Sequence, residues 1–150
     1  NIKQGFLNYK PIEKRWEKTV IKNLTFINDS YNANPESMNA VLKTFLSVYP
    51  KPIVLVLGDM GELGKDEIKY HKEVGEFLSN YSDVKLLTVG MLARHIARNT
   101  TLESVEFETN EECAKYIVEN IKENTTILLK ASRSMKFEQI IEMVKEYDND

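Results

Sequence analysis

The run Ile-Val-Leu-Val-Leu at residues 53–57 constrains the fold more than any other part of this sequence. An uninterrupted apolar run of strand length is typical of a β-strand that is buried on both faces. A strand of that kind needs helices on both sides of its sheet. The run therefore predicts an α/β domain in which the sheet is the middle layer.

Strand-like and helix-like segments alternate along most of the chain, and this alternation predicts a mostly parallel sheet. Two short β-type runs at residues 19–21 and 24–27 flank Lys22-Asn23, which predicts a tight hairpin turn and an antiparallel edge. The expected fold is a Rossmann-like three-layer α/β domain with a mostly parallel sheet of about six strands and an antiparallel N-terminal edge hairpin. Besides residues 53–57, the predicted strands are 85–89, 104–107 and 126–130, and the predicted helices lie near 35–48, 66–79, 91–98, 110–123 and 135–147.

Length and composition indicate one globular unit. With 150 residues, of which 42% are hydrophobic, the chain has the size of one ordinary domain and enough apolar mass for one core. The sequence begins at Asn1 rather than at a methionine, so we expect a fragment of a longer protein or a processed product. We interpret residues 1–11 as a linker remnant from a missing central domain and residues 12–150 as the domain itself.

Charge and cysteine content argue against several classes of function. The formal net charge is −3, from interspersed lysine and glutamate, so the chain lacks the basic surface that nucleic-acid-binding proteins use. No apolar run approaches the roughly 20 residues that cross a bilayer, so no membrane partner is expected. The single cysteine, Cys113, cannot form an internal disulfide and fits a reducing compartment, which makes the cytoplasm the expected location.

Residues 27–38 (INDSYNANPESM) form the strongest candidate for a ligand site. The segment has the pattern of a strand end, a polar loop and a helix start, with Asn34 as the N-cap and Pro35 as the first helical residue. A helix N-terminus beyond the carboxyl end of a strand presents N–H groups and a positive dipole end to a polar ligand. Asp29 is then either an acceptor for ribose hydroxyls or an ordinary turn aspartate, and Asn32 and Asn34 share this ambiguity.

Residues 58–65 (GDMGELGK) only superficially resemble a phosphate-binding loop. Five residues separate Gly58 from Gly64 where that loop has four, and an aspartate follows the lysine where a hydroxyl would bind magnesium. The carboxylates of Asp59 and Glu62 would also repel phosphates. We favour a glycine-rich turn that leads into a helix, with Gly58, Asp59 and Glu62 at the rim of a ligand crevice.

Residues 130–136 (KASRSMK) end the last predicted strand and lead into the last predicted helix. Ser132, Arg133 and Ser134 supply donors near this second helix N-terminus, an arrangement that suits a carboxylate ligand. The alternative is that Ser134 merely caps the helix while Arg133 and Lys136 are solvated. Composition alone does not separate the two interpretations.

The histidines and the cysteine carry no recognisable chemistry. His71 shares its predicted helical stripe with the apolar residues Ile68, Val74 and Leu78. Packing or a hydrogen bond at the edge of the core is therefore expected for His71. Neither His71 nor His95 has a partner at metal-ligand spacing, and no catalytic triad can be built from them. We expect no metal site in the chain and interpret Cys113 as filler on a helix.

Several segments, taken in order, resemble the C-terminal domain of the Mur ligases, and among these ligases the members that add D-alanyl-D-alanine. Lys14-Arg15 is similar to the family's basic entry from the central domain, so the likeness covers nearly the whole chain. The family usually has Lys-Gly-Ser-Arg-Gly where this chain has Lys-Ala-Ser-Arg-Ser at 130–134. The segments that carry the likeness are INDSYNANPESM at 27–38, LVLGDMGELG at 55–64, HKEVGEF at 71–77, TVG at 88–90 and LLKASRSMK at 128–136.

The resemblance implies the activity of a longer enzyme. That enzyme would use ATP, with Mg²⁺, to convert the terminal carboxylate of a UDP-muramoyl tripeptide into an acyl phosphate, which the amine of D-Ala-D-Ala then attacks. The phosphate loop, the magnesium ligands and the UDP-sugar site belong in this family to two preceding domains. The chain would then be the third, closing domain of a peptidoglycan-synthesising ligase and inactive alone.

The resemblance also implies roles for individual residues. Arg15 would reach the phosphates of the nucleotide. The ribose and adenine side of the site would be lined by Asp29, Tyr31, Asn32 and Asn34, and the incoming dipeptide would be held by Lys130, Ser132 and Arg133.

Other functions stay open from the residues alone. One is a stand-alone nucleotide-binding or small-molecule-binding module without catalysis. Another is a small Rossmann-type oxidoreductase, which is least favoured because the Gly-x-Gly-x-x-Gly fingerprint is missing. The same domain could also come from another Mur or folylpolyglutamate-type ligase.

Overall fold

The computed structural model describes residues 16–29 and 33–148. The linker expected at residues 1–11 lies outside them, as do Arg15, Tyr31 and Asn32. The strands are β1 (Glu17–Ile21), β2 (Leu24–Asn28), β3 (Ile53–Gly58), β4 (Val84–Val89), β5 (Glu103–Phe107) and β6 (Thr126–Lys130). The helices are α1 (Pro35–Val48), α2 (Glu67–Leu78), α3 (Arg94–Ala97), α4 (Asn110–Asn120) and α5 (Glu138–Asp148), with short 3-10 turns at Gly64–Asp66 and Arg133–Met135.

The strands form one sheet in the order β1-β2-β6-β3-β4-β5. The pair β1 and β2 is antiparallel, and the other neighbouring pairs are parallel. Lys22 and Asn23 join β1 to β2 with φ values of 49° and 65°, the left-handed pair that a two-residue hairpin turn requires. The predicted mostly parallel sheet with an antiparallel edge hairpin is confirmed.

Helices cover both faces of the sheet, as the apolar run of β3 predicts. Ile53, Leu55 and Leu57 of β3 pack into the cluster that contains α1, α2 and α3. Val54 and Val56 point the other way, into the cluster that contains α4 and α5. The period of two along this strand therefore places apolar side chains in both cores at once.

Two helices begin at the caps that the sequence predicts. Asn34 Oδ1 accepts a hydrogen bond from the backbone N–H of Ser37 at 2.9 Å, and Pro35 occupies the first turn of α1. Thr109 and Glu112 have the Thr-x-x-Glu spacing that predicts a capping box, and they form one at the start of α4. Capping side chains satisfy N–H groups that a helix leaves without an internal partner, so these residues fix where each helix starts.

Several predicted helix boundaries are wrong. Residues 91–93 form a turn, so α3 has only four residues. The helix α4 ends at Asn120 because Ile121 is extended and packs its side chain against the core. The helix α5 begins three residues late because Lys136 adopts a left-handed conformation, with φ 54°, which interrupts the helical run. Pattern alone does not reveal that single backbone reversal.

Two apolar residues on the helices are exposed, and one of them belongs to the predicted stripe of His71. Ile68 on α2 is 43% exposed, although His71, Val74 and Leu78 of the same helix are buried. Val118 on α4 is 40% exposed. None of the helices in residues 16–29 and 33–148 is long and apolar enough to span a membrane.

Candidate functional site

The direction of the chain after each strand creates a crevice at the carboxyl end of β6. The strands β2 and β3, which flank β6, are followed by α1 and α2 on one face of the sheet. The strand β6 is followed by α5 on the opposite face. Loops that leave neighbouring strands in opposite directions open a crevice between them, which is where open α/β sheets bind ligands.

The three polar segments singled out in the sequence meet at this crevice. Asp29 follows β2 directly, Asp59 follows β3 and Ala131 follows β6. The backbone N–H of Ser132 donates to Asp59 O at 2.9 Å, and that of Asp29 donates to Leu129 O at 2.8 Å. These three segments therefore lie at one edge of the sheet, at the carboxyl ends of β2, β3 and β6.

Asp29 and Lys130, which the resemblance assigns to different ligands, lie against each other. Lys130 Nζ is 3.3 Å from Asp29 Oδ2, and the two side chains are 2% and 5% exposed. This contact joins the end of β2 to the end of β6, although the two residues are 101 positions apart in the chain. Sequence reasoning missed the pair because nothing in the local pattern shows that β2 and β6 are neighbours.

The rest of the loop after β6 lies nearer the surface. Ser132 is half-buried, and Arg133 and Ser134 are exposed. The hydroxyls of Ser132 and Ser134 are 3.1 Å apart, and Ser134 lies inside the 3-10 turn, before α5 begins. The alternative in which Ser134 caps the last helix is therefore wrong.

Ala131 and Ser134 stand where the family usually has glycines. Neither residue adopts a positive φ, so both side chains fit an ordinary backbone conformation. Ala131 is fully buried, while Ser134 is exposed. The left-handed residue of this segment is Lys136 instead.

Asp59 connects the loops that form the rim of the crevice. Its Oδ1 accepts hydrogen bonds from the N–H groups of Leu92 and Ala93, at 3.0 and 2.7 Å. These groups belong to the turn that precedes α3. Gly90 adopts φ 114° beside the same carboxylate, and a Cβ there would collide with it. Asp59 therefore connects the loops after β3 and β4 through its side chain and the loop after β6 through its carbonyl.

The backbone of residues 58–65 agrees with a glycine-rich turn. Glu62 and Gly64 both have positive φ, 57° and 68°, and Glu62 is exposed. The 3-10 turn begins at Gly64, the second of these residues, and α2 follows at Glu67. Gly58, the last residue of β3, is buried against the side chains of Phe137 and Ala131, so it supports the rim by close packing.

His71 fastens this turn to α2. Its Nε2 accepts a hydrogen bond from the backbone N–H of Met60 at 2.9 Å, and its Nδ1 lies 2.6 Å from Glu67 O. A carbonyl oxygen only accepts, so Nδ1 carries the proton and the ring is neutral. The expected hydrogen-bonding role at the edge of the core is confirmed.

Protonation of His71 should destabilise the fold. Burial lowers the pKa of His71 below 6.5, although its hydrogen bond to Glu67 O and the charge of Asp59 act in the opposite direction. The unfolded chain then binds more protons than the native chain near pH 6.5, so stability falls as the pH drops through that value. We expect the free energy of unfolding to fall more between pH 7.5 and 5 in the wild type than in His71→Gln.

The comparison with His71→Gln isolates this histidine. Glutamine keeps an acceptor for the Met60 N–H but does not titrate. Urea unfolding at a series of pH values measures the slope for each protein. Equal slopes would contradict the assignment of a neutral, buried imidazole.

Cys113 is not a reactive thiol, and the described residues form no cluster of metal ligands. Burial raises the pKa of Cys113 to about 12, so its thiol is inert packing material on α4, as expected. Among the described residues, no three histidine, cysteine or acidic side chains come together in a way that could hold a metal ion.

The chain matches a known protein family over most of its length. The family described as "Mur ligase, glutamate ligase domain" matches residues 14–133, which is most of the chain. The chain belongs to the Mur ligase family. The described fold and the crevice at β6 are therefore those of a Mur ligase domain.

Curated relatives cover most of this Mur ligase chain but only part of their own length. The UDP-N-acetylmuramoyl-tripeptide--D-alanyl-D-alanine ligase of Buchnera aphidicola subsp. Acyrthosiphon pisum is 32% identical over 150 residues, covering 97% of this chain and 32% of the relative. The ligase of the same name from Bacillus subtilis is 38% identical over 126 residues, covering 79% of this chain and 27% of the relative. The chain thus spans about a third of the length of these relatives.

Solved structures of MurF enzymes also resemble this chain over part of their length. MurF ligase from Thermotoga maritima, in complex with ADP, is similar with a TM-score of 0.76 and 25% identity, over 90% of this chain and 31% of that one. MurF from Acinetobacter baumannii is similar with a TM-score of 0.75 and 28% identity, over 88% of this chain and 30% of that one. The chain therefore has the fold of a segment that makes up about a third of each of these MurF enzymes.

Proposed function

We propose that this chain is the C-terminal, closing domain of an ATP-dependent ligase that adds D-Ala-D-Ala to UDP-N-acetylmuramoyl-tripeptide in peptidoglycan synthesis. The supporting observation is that a relative bearing this name matches 97% of the chain, a length that spans the loops at the crevice. ATP, the dipeptide and the UDP-muramoyl tripeptide are the proposed ligands of the full-length enzyme. The cytoplasm is its proposed location.

The crevice suits a domain that positions substrates. Asp29 and Asn34 stand on the loop between β2 and α1, and Ser132 and Arg133 stand on the loop after β6. A domain that closes with such polar side chains over an acyl phosphate can exclude water and orient an attacking amine. Exclusion of water matters because an acyl phosphate hydrolyses. Catalysis by positioning and charge neutralisation also needs no general base from this chain.

The residue roles combine this placement with what the resemblance implies for Arg15, Tyr31 and Asn32, which lie outside the described residues. We propose that Arg15, Asp29, Tyr31, Asn32 and Asn34 serve the nucleotide and that Ser132 and Arg133 serve the dipeptide. The Oδ1 of Asn34 is engaged in capping α1, so its amide nitrogen is the part that serves a ligand. We propose that Mg²⁺ and the phosphate loop belong to the remainder of the enzyme, as the family resemblance implies.

Calorimetry distinguishes a closing domain from a stand-alone binding module. The isolated chain is titrated with ADP and with D-Ala-D-Ala, and a closing domain should bind each more weakly than about 1 mM. A fusion protein, in which this chain replaces the matched segment of the Bacillus subtilis relative, should bind ADP measurably. Micromolar binding by the isolated chain would instead favour an independent binding module.

The same fusion protein tests which amine the domain accepts. With the dipeptide it should form product, and with free D-alanine or L-lysine it should not. Product with a free amino acid but none with the dipeptide would assign the domain to a different amide-forming ligase.

A further inference from the structure

Lys130 places a charged group where charge is costly. Its ammonium group lies 3.3 Å from Asp29 Oδ2, and its side chain is only 2% exposed. Removing an ion from water costs several kcal/mol, and a buried ion pair often contributes less stability than apolar residues of the same size. Stability alone therefore gives no reason for a lysine at this position.

The sheet fixes both ends of this ion pair. Lys130 is the last residue of β6 and stands in register with Leu57 of β3. Asp29 extends β2 by one residue, since its N–H donates to Leu129 O at 2.8 Å. With both backbones held by neighbouring strands, the ammonium holds the Asp29 carboxylate, and with it the start of the β2–α1 loop, in one position.

The balance of charge determines what kind of ligand this pair accepts. Asp29 already supplies a negative charge next to the ammonium of Lys130. A dipeptide carboxylate at the same ammonium would bring a second negative charge into a buried site, and like charges there repel strongly. A sugar hydroxyl is neutral and can donate to a carboxylate that is already paired with a cation.

We propose that Lys130 is a positioning residue for the nucleotide side of the crevice, acting through Asp29, and is not a ligand of the dipeptide. The proposal rests on the proposed function and differs from the role that the resemblance implies for Lys130. Recognition of the dipeptide carboxylate is left to Arg133, which is exposed at the surface of the same loop.

Steady-state kinetics of the fusion protein test this assignment. Lys130→Met should raise the KM for ATP about fivefold, because the carboxylate loses its anchor, and should change the KM for D-Ala-D-Ala by less than about twofold. The matched control is Lys136→Met, which removes an exposed cation from the same loop and should change neither KM. An increase confined to the dipeptide KM would overturn the proposal.

A double-variant cycle shows whether Lys130 works through Asp29. If it does, Lys130→Met should raise the KM for ATP no further once Asp29 is alanine, because coupled residues are not additive. Additive effects of the two substitutions on the KM for ATP would overturn the proposal. A merely structural role would lower the melting temperature without this split between the substrates.

If Lys130→Met alone fails to fold, the substitution can still be tested in the Asp29→Ala background. The double variant Asp29→Ala with Lys130→Met removes both charges of the buried pair, and it is compared with Asp29→Ala alone. An unchanged dipeptide KM supports the positioning role, and a raised one overturns it. Failure of the proposed function would appear differently, as a wild-type fusion that releases no phosphate when the dipeptide is added.

Discussion

Replacing Gly58 with alanine is expected to lower the free energy of unfolding by about 2–3 kcal/mol, because an added methyl group in a packed interior forces its neighbours to move. A Cβ at Gly58 would lie 2.6 Å from Phe137 Cζ and 2.7 Å from Ala131 Cβ, closer than carbon atoms approach in proteins. Phe137 and Ala131 are both fully buried, so neither can retreat into solvent. Urea unfolding of the 150-residue chain measures the loss.

Gly61 provides the matched control for this substitution. A Cβ there would lie 3.5 Å from Ser132 Cβ, an ordinary contact, so Gly61→Ala should change stability by less than about 0.5 kcal/mol. Combining Gly58→Ala with Ala131→Gly should restore part of the loss, since one of the two collisions disappears. Equal stability of the Gly58→Ala and Gly61→Ala variants would contradict the close approach of Phe137 and Ala131 to Gly58.

Replacing Asp29 with alanine in the fusion protein is expected to raise the KM for ATP by about tenfold or more. A hydrogen bond to a charged group contributes about 1.5–3 kcal/mol, and 1.4 kcal/mol corresponds to a factor of ten. The change removes the proposed acceptor for the ribose hydroxyls and also the partner of Lys130. The KM for D-Ala-D-Ala should change by less than about twofold.

Loss of stability must be separated from loss of binding in this variant. Asp29→Ala leaves the buried ammonium of Lys130 without its carboxylate, which is itself destabilising. Adding Lys130→Met removes that ammonium and should raise the melting temperature while the KM for ATP stays high. A dipeptide KM that rises more than the ATP KM would refute the assignment of Asp29 to the nucleotide.

The local elements could be predicted from the sequence because their causes are local. The apolar run at 53–57 needs a strand with two covered faces, and Lys22-Asn23 needs a tight turn. Asn34 and Thr109 carry side chains that cap the helices directly after them. Each of these residues acts within a few positions of itself, so period and residue type are sufficient.

The geometry of the site depends instead on strand order. Asp29 and Lys130 meet because β2 lies beside β6, and no local pattern encodes that pairing. Gly58 looks like a loop glycine in the sequence, yet its lack of a side chain lets Phe137 pack against the end of β3. The segments at the crevice were predictable, but the partners of their side chains required the fold.

The start of the last helix is a further feature that the sequence pattern does not predict. The apolar residues Phe137, Ile140, Ile141 and Val144 are all buried, as their helical spacing suggests. Lys136 nevertheless breaks the backbone just before them. Spacing records which side chains face the core, and it does not record one left-handed residue between two helical turns.

Phosphate release by the fusion protein tests the central claim most directly, namely that this domain acts only in combination with the body that binds ATP and the UDP-muramoyl tripeptide. With ATP and the tripeptide present, the fusion should release phosphate when D-Ala-D-Ala is added and only at a background rate without it, and the isolated chain should release none. Phosphate release at the same rate without the dipeptide, or turnover by the isolated chain, would contradict the account.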